Sequence, residues 1–313
     1  DPDRAFRQLI PINPKKSTEI TSVKSDLSSK LATIGAGVVQ NSELSSQYRV
    51  RGGNFDENLI YVNDIEIYRP FLIRTGQQEG LGFVNPNLAT EVGFSSGGFQ
   101  ARFGDKMSSV LDVIYGEPDE FHGSLELGVL NQNVHLEGSW IQKEKERSDE
   151  EIEAGINYRP RKFGYLVGYR RFTPSYVLGS LDTQGEYQPR FNDVQGMLSF
   201  RPRQKRKTYK IKERRDGSLD TIYYSQDRVK MSLFFNYAKN DYLFTPQSRE
   251  TSFGNIQNAF KLRVAFVGQD LSRYSTGLGA FTIEHRPTAR LKMKYIFTGF
   301  RTEEAELFDV EGG

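Results

Sequence analysis

From about residue 118 onward, apolar side chains recur at every second position. Phe121, Leu125, Leu127 and Val129 alternate with His122, Ser124 and Glu126, and Val134, Leu136 and Trp140 alternate with His135, Glu137 and Ser139. The pattern returns at Phe163, Tyr165, Val167 and Tyr169, and at Val229, Met231, Leu233, Phe235 and Tyr237. It returns again at Phe260, Leu262, Val264 and Phe266, and at Leu291, Met293, Tyr295 and Phe297. A period of two places these side chains on one face of a strand. A water-soluble sandwich alternates in the same way, so the period alone leaves open whether the apolar face meets lipid or a second sheet. Several runs reach about 9 to 11 residues, the length of a membrane strand, and tyrosine and phenylalanine gather near their ends as interface girdles do.

Residues 1 to about 117 follow another rule, with short apolar runs cut by glycine, asparagine and serine. Within "TSVKSDLSSKLATIGAGV" (21–38) the spacing predicts a short helix. Ser25 or Asp26 caps its start, Leu27, Leu31 and Ile34 share a face, and Gly35 or Gly37 stops it. In "NLIYVNDIEIY" (58–68), alternating runs on either side of Asn63-Asp64 predict a hairpin with a two-residue turn. "ATEVGFSSGGFQARFGDKMSSVLDVIY" (89–115) supplies two further strands around glycine turns. The pairs Gly52-Gly53 and Gly97-Gly98 mark positive φ or close backbone approach.

Composition removes whole classes of function. The 313 residues carry 42 basic and 40 acidic side chains, a formal charge of +2 that offers no footprint for nucleic acid. The one basic run, "RPRQKRKTYKIKERR" (201–215), reads as a solvated loop or strand end. There are no cysteines, and the three histidines stand singly, so disulfides, thiolate sites and a zinc site are not expected. Asp64 and Glu66 form a carboxylate pair on the hairpin without a partner histidine or metal motif, and neither glycine pair has P-loop spacing; no enzyme and no cofactor is implied. No apolar run approaches the ~20 residues of a membrane helix. That excludes a helical membrane protein, but a membrane β-barrel crosses with alternating strands and is not excluded.

The stretch "SSQYRVRGGNFDENLIYVNDIEIYRP" (45–70), continued by "YRPFLIRTGQQEGLGFVNPNLATEVGFSSGGFQARFGDKMSSVLDVIYGEP" (68–118), resembles the plug of TonB-dependent outer-membrane receptors in the form seen in Bacteroidetes. The resemblance joins an R-G-G turn, an aspartate-bearing hairpin, an N-P step, a G-G-F-x-A-R-F-G element and an S-S-V-L-D strand in one order. It continues less specifically through 178–187 and 250–271. It implies a mixed α/β plug domain at 1–117, followed at 118–313 by antiparallel transmembrane strands, an incomplete portion of a barrel of about 22 strands. At ~10 residues per strand plus loops, 118–313 supplies roughly eight or nine strands. The chain therefore reads as part of a longer receptor, with signal peptide and TonB box expected upstream of Asp1. "QKEKERSDEEIEAGINYRPRK" (142–162) suggests an extra strand through Ile152, Ala154, Ile156 and Tyr158, which would reverse the up-down order; the loop at 203–226 poses the same question.

The function so implied is uptake of a ligand across the outer membrane by TonB-coupled plug rearrangement. The partners are the TonB complex, outer-membrane lipids and a small-molecule, glycan or peptide ligand, with a surface lipoprotein as an optional one. By resemblance, Arg51 and Arg102 pair with barrel-wall glutamates, Glu304 first among Glu303, Glu304 and Glu306; the alternative is that both arginines face lumen water. Arg74, Gln77, Gln78 and Glu79 form the expected ligand-facing tip, the alternative being an ordinary solvated loop. Two other readings stand beside transport: a plugged barrel serving as an envelope scaffold, and a soluble β-sheet binding module.

Overall fold

The computed structural model describes residues 9–13, 27–35, 37–40, 45–68, 80–100, 102–104, 107–142, 156–175, 185–207, 209–213, 219–223, 229–246, 249–255, 258–264, 266–288 and 291–312. Its N-terminal part contains β1 (Ile10–Ile12), α1 (Leu27–Ile34), β2 (Val38–Gln40), β3 (Tyr48–Val50), β4 (Asn58–Val62), β5 (Ile65–Glu66), β6 (Ala89–Ser95) and β7 (Ser109–Tyr115). Five of these strands form one sheet in the order β1-β6-β7-β4-β5, and β4 runs parallel to β7 at its centre. Those two strands are buried almost throughout, as a parallel pair covered on both faces requires. The helix forms where expected, with Leu27 and Leu31 buried and the Gly35 amide closing on the Leu31 carbonyl at 2.7 Å. Ser25 and Asp26 lie outside the described residues.

The hairpin turn is the two-residue form, with Asn63 and Asp64 at φ 52° and 66°. The Asn63 side chain adds a reason for asparagine there: its Oδ1 accepts the Tyr115 amide at 2.9 Å and its amide donates to the Tyr115 carbonyl at 3.2 Å, capping β7. The two residues of the R-G-G pair serve different needs. Gly52 takes φ 82°, whereas a Cβ on Gly53 would stand 1.8 Å from Ser108 Oγ.

The C-terminal part comprises β8 (His122–Leu127), β9 (Asn131–Ile141), β10 (Ile156–Arg159), β11 (Lys162–Phe172), β12 (Gly185–Arg201), β13 (Gln204–Lys207) and β14 (Tyr209–Glu213). It continues with β15 (Leu219–Tyr223), β16 (Val229–Pro246), β17 (Arg249–Asn255), β18 (Asn258–Val264), β19 (Phe266–Thr288) and β20 (Leu291–Gly312). Seven of them form an antiparallel meander, β8-β9-β11-β12-β16-β19-β20, the wall. It is an open sheet with β8 and β20 at its edges, and it holds fewer strands than the chain length suggested.

The parity question is settled by proline. β10 pairs with β13 from Arg159 opposite Gln204 outward, continuing the β11–β12 ladder that ends at Lys162 opposite Arg201. Pro160 and Pro202 fall in the gap on both strands, where neither has an N–H to give the ladder. Ile156 and Tyr158 therefore belong to β10, the start of β11 beyond a break, and β9 pairs directly with β11; Ile152 and Ala154 lie outside the described residues. β14–β15 and β17–β18 are self-contained hairpins, each adding two strands and leaving the up-down order intact. The alternating run at 260–266 belongs mostly to β18 and not to the wall.

Register across the wall sorts its side chains by face. Four successive rows point outward: Val134–Tyr169–Val194–Tyr237, Leu136–Val167–Gly196–Phe235, Gly138–Tyr165–Leu198–Leu233–Phe281–Phe297, and Trp140–Phe163–Phe200–Met231–Ile283–Tyr295. The row beyond the Tyr169 end is polar: Gln132–Arg171–Asn192–Lys239–Ser275–Glu303. The intervening residues turn inward onto the N-terminal domain, and many are polar yet buried, among them Asn133, His135, Arg170, Asp193, Gln195 and Asn236. A soluble sheet buries its apolar face and wets its polar one; this wall leaves an apolar face exposed and buries polar residues together with apolar ones on the other.

Candidate functional site

The seam between the N-terminal domain and the wall has a dry half and a charged half. In the dry half, Leu166, Met197, Phe234, Leu278 and Ala280 of the wall join the core of the N-terminal domain. Gly168 leaves the space into which that domain fits, since a Cβ there would stand 2.6 Å from Asn85 Nδ2 and 3.1 Å from Leu88 Cδ2.

Beside this contact, the buried Arg170 of β11 spreads its guanidinium over one turn of the N-terminal chain. It donates to the carbonyls of Val84 at 2.8 Å, Gly82 at 2.9 Å and Phe83 at 3.1 Å, and to the carboxylate of Asp193 on β12. Gln195 and Asn236 donate to the same carboxylate at 3.0 and 3.1 Å. Gln195 also donates to the Phe83 carbonyl and accepts the Tyr115 hydroxyl at 2.7 Å, while that hydroxyl takes the Asn85 amide at 2.9 Å. Burial pushes the Tyr115 hydroxyl far above its ordinary range, so it remains a donor. A planar fork with five donors suits adjacent carbonyls plus a carboxylate. The network positions residues 82–85 on the wall through buried hydrogen bonds.

The charged half is a cavity of about 520 Å³ at the end where the chain passes into the wall. The N-terminal domain contributes Asp64, Arg102 and Asp112, and the wall contributes Lys230, Glu284 and Lys294. Arg102 reaches Asp112 at 2.9 Å and Asp64 at 3.5 Å. From the wall, Lys294 reaches Asp64 at 2.5 Å, the Asn63 carbonyl at 3.1 Å and Glu284 at 3.9 Å. Desolvation raises the Asp112 carboxyl to about 6, against the opposing pull of Arg102.

The residues expected to bridge the two parts therefore take other places. Among the described residues Arg102 pairs with Asp64 and Asp112, not with a wall glutamate, and the ion pairs between the N-terminal part and the wall are Asp64–Lys294 and Glu117–Lys230, the latter at 3.6 Å, each with the acid on the N-terminal side. Arg51 is exposed at the turn with φ 49°, its amide bonded to the Gly37 carbonyl at 2.9 Å, and no carboxylate among the described residues pairs with it. Glu304 sits opposite Tyr274 on the inward face of β20, and Glu303 lies on the outward face beside Arg301. Arg74, Gln77, Gln78 and Glu79 lie outside the described residues. Among the described residues, no cluster of three or more histidine or carboxylate side chains could hold a metal ion.

No protein family and no curated protein matches the chain. Among solved structures, a mutant of the ferric enterobactin receptor of Pseudomonas aeruginosa is 13% identical over 88% of this chain and 49% of its own, with a TM-score of 0.39. The siderophore receptor PirA of Acinetobacter baumannii is 13% identical over 98% of this chain and 56% of its own, at 0.43. The alcaligin outer-membrane receptor of Bordetella pertussis is 9% identical over 100% and 58%, at 0.37. The chain spans about half the length of these receptors.

Proposed function

We propose that this chain forms the plug domain and the first wall strands of a TonB-dependent outer-membrane receptor, taking up a ligand through a plugged barrel. The observation that supports it is the wall's exposed apolar face: four outward rows, apolar except for Arg301 at the β20 end of the first, ending at one polar row, over an inner face that buries asparagine, glutamine, aspartate and arginine beside its apolar contacts. Four rows two residues apart span about 20 Å along the strands, or about 15 Å of height at a barrel's tilt of ~40°, which fits within the ~25 Å lipid-facing band. The sequence resemblance through the plug motifs supplies the rest of the reading. That includes TonB as the energy source, a Bacteroidetes-type receptor and an extracellular ligand met at the plug tip. Further strands would pair the open edges of β8 and β20, since an unpaired edge does not persist in lipid.

The single tryptophan makes the reading testable. Trp140 lies on the outermost apolar row, exposed and flanked by Phe163 at a ring-centroid distance of 5.7 Å and Tyr165 at 5.3 Å. In bilayers of brominated phosphatidylcholine its fluorescence should be strongly quenched. Emission unchanged by bromine would mean that this face does not meet lipid.

A further inference from the structure

Just beyond the apolar band, at the rim farthest from where the chain enters the wall, three cations stand on adjoining outward positions. Arg171 of β11 and Lys239 of β16 flank Asn192 of β12 in one register row, and Arg190 is two residues along β12 on the same face. Neighbouring strands lie ~4.8 Å apart and alternate residues ~6.8 Å apart, so the three Cα positions fall within about 10 Å of one another. Arg171 and Arg190 are exposed and Lys239 is half-buried. Unlike their neighbours, the three make no ion pair among the described residues. Arg273 is held by Asp241 at 2.6 Å and Arg301 by Glu303, which also removes the carboxylate opposite Arg190 from competition.

The residue at the centre adds a fourth donor. Tyr169, on the last apolar row, gives its hydroxyl to Asn192 Oδ1 at 3.1 Å. That bond occupies one lone pair of the amide oxygen, and the NH₂ of the same side chain is a further donor in the row between Arg171 and Lys239. The site thus gathers three cations and an amide, with the Asp241 carboxylate opposite Arg190 already held by Arg273, directly above a tyrosine-bearing row and the apolar rows below it.

We propose that Arg171, Arg190, Lys239 and Asn192 bind the phosphorylated headgroup of a membrane lipid whose acyl chains lie on the Tyr169–Val167–Tyr165 and Tyr237–Phe235–Leu233 columns. Charge complementarity and the position at the band's edge select this occupant: a phosphate in solution would have no use for the apolar columns below. The inference rests on the membrane reading of the wall and deepens it by assigning a lipid class.

The test uses the intact polypeptide in neutral detergent, titrated with anionic phosphatidylglycerol and followed by native mass spectrometry, with zwitterionic phosphatidylcholine, whose phosphate is balanced by its own ammonium, as the net-neutral comparison. The parent should retain phosphatidylglycerol, and the variant Arg171→Gln/Arg190→Gln/Lys239→Gln should retain it about a hundredfold more weakly. Both should take phosphatidylcholine alike. Arg301→Gln, one cation fewer but already engaged by Glu303, should match the parent. The three single replacements, each giving a partial loss, keep the test decisive if the triple variant misfolds. Equal retention by the triple variant overturns the proposal, and so does full displacement of lipid by millimolar inorganic phosphate. Trp140 quenching of the same proteins in brominated phosphatidylcholine bilayers separates the two ideas: quenching without selective lipid retention rejects this site alone, whereas absence of quenching rejects the membrane reading beneath it.

Discussion

Arg170 satisfies three carbonyls and a carboxylate at once, so its removal has two costs. Arg170→Met orphans the carbonyls at 82–84 and leaves Asp193 as a buried charge without its cation. Breaking such a pair costs about 3–5 kcal/mol, and protease cleavage near 82–88 should accelerate accordingly. Arg170→Met combined with Asp193→Asn should recover part of the loss; no recovery would mean that the carboxylate is not what the arginine serves. Asp112 predicts a pH effect of definite sign. Its folded carboxyl is raised from an ordinary 3.8 to about 6, so between those values the folded state holds the proton that the unfolded state has released. This group's contribution to stability therefore grows as pH falls through 6 toward 4 and is lost as pH rises through 6. Asp112→Asn should flatten that part of a melting-temperature profile, and a profile unchanged by the substitution would contradict the burial argument. Neither residue was legible in the sequence. Arg170 sits in "GYRRF" beside an arginine that faces the other way, and only the register tells the two apart.

At the scale of elements, glycines on opposite faces of the wall make opposite demands. Gly168 faces Asn85 and Leu88 at contact distance, while a Cβ on Gly279 of β19 would meet nothing within 4 Å. Gly168→Ala should unseat the N-terminal domain, seen as a lower melting temperature and faster proteolysis; Gly279→Ala should leave both unchanged or raise stability slightly. Equal effects would mean that the seam is looser than its geometry. The same asymmetry explains which strands the alternating pattern revealed. β9, β11, β16 and β20 carry large outward side chains and were visible. β12 and β19 carry Gly196, Gly277 and Gly279 outward and Met197, Leu278 and Ala280 inward against the core, so their contrast is blurred. The hairpin at Asn63-Asp64 and the helix at Leu27–Ile34 were legible because turn chemistry and spacing act locally.

For the molecule as a whole, the alternation identified strands but could not orient them; burial did. The inner face meets the N-terminal domain partly through hydrogen bonds and partly through two apolar patches, one where Leu166, Met197, Phe234, Leu278 and Ala280 touch that domain's core and one where Phe172, Phe191, Tyr242 and Tyr274 pack with Leu81. Charge pairs across the seam were expected with arginine on the N-terminal side. The cavity instead sets Asp64 against Lys294, a contact between residues 230 positions apart that no local pattern announces.

The strand order of the N-terminal sheet bears on how it would come apart. β1 is an edge strand of three residues whose one strand partner among the described residues is β6, with Ile10 opposite Phe94 and the core residue Ile12 opposite Val92, and its middle residue, Pro11, brings no N–H to the ladder. A tug transmitted from the N-terminal side loads this short edge first and peels it pair by pair. The parallel β4–β7 pair lies behind β6 and is not sheared by that motion. β1 is thus a tear strip: it can be drawn off the sheet while the Asn63-Asp64 turn, anchored on Lys294, stays in place.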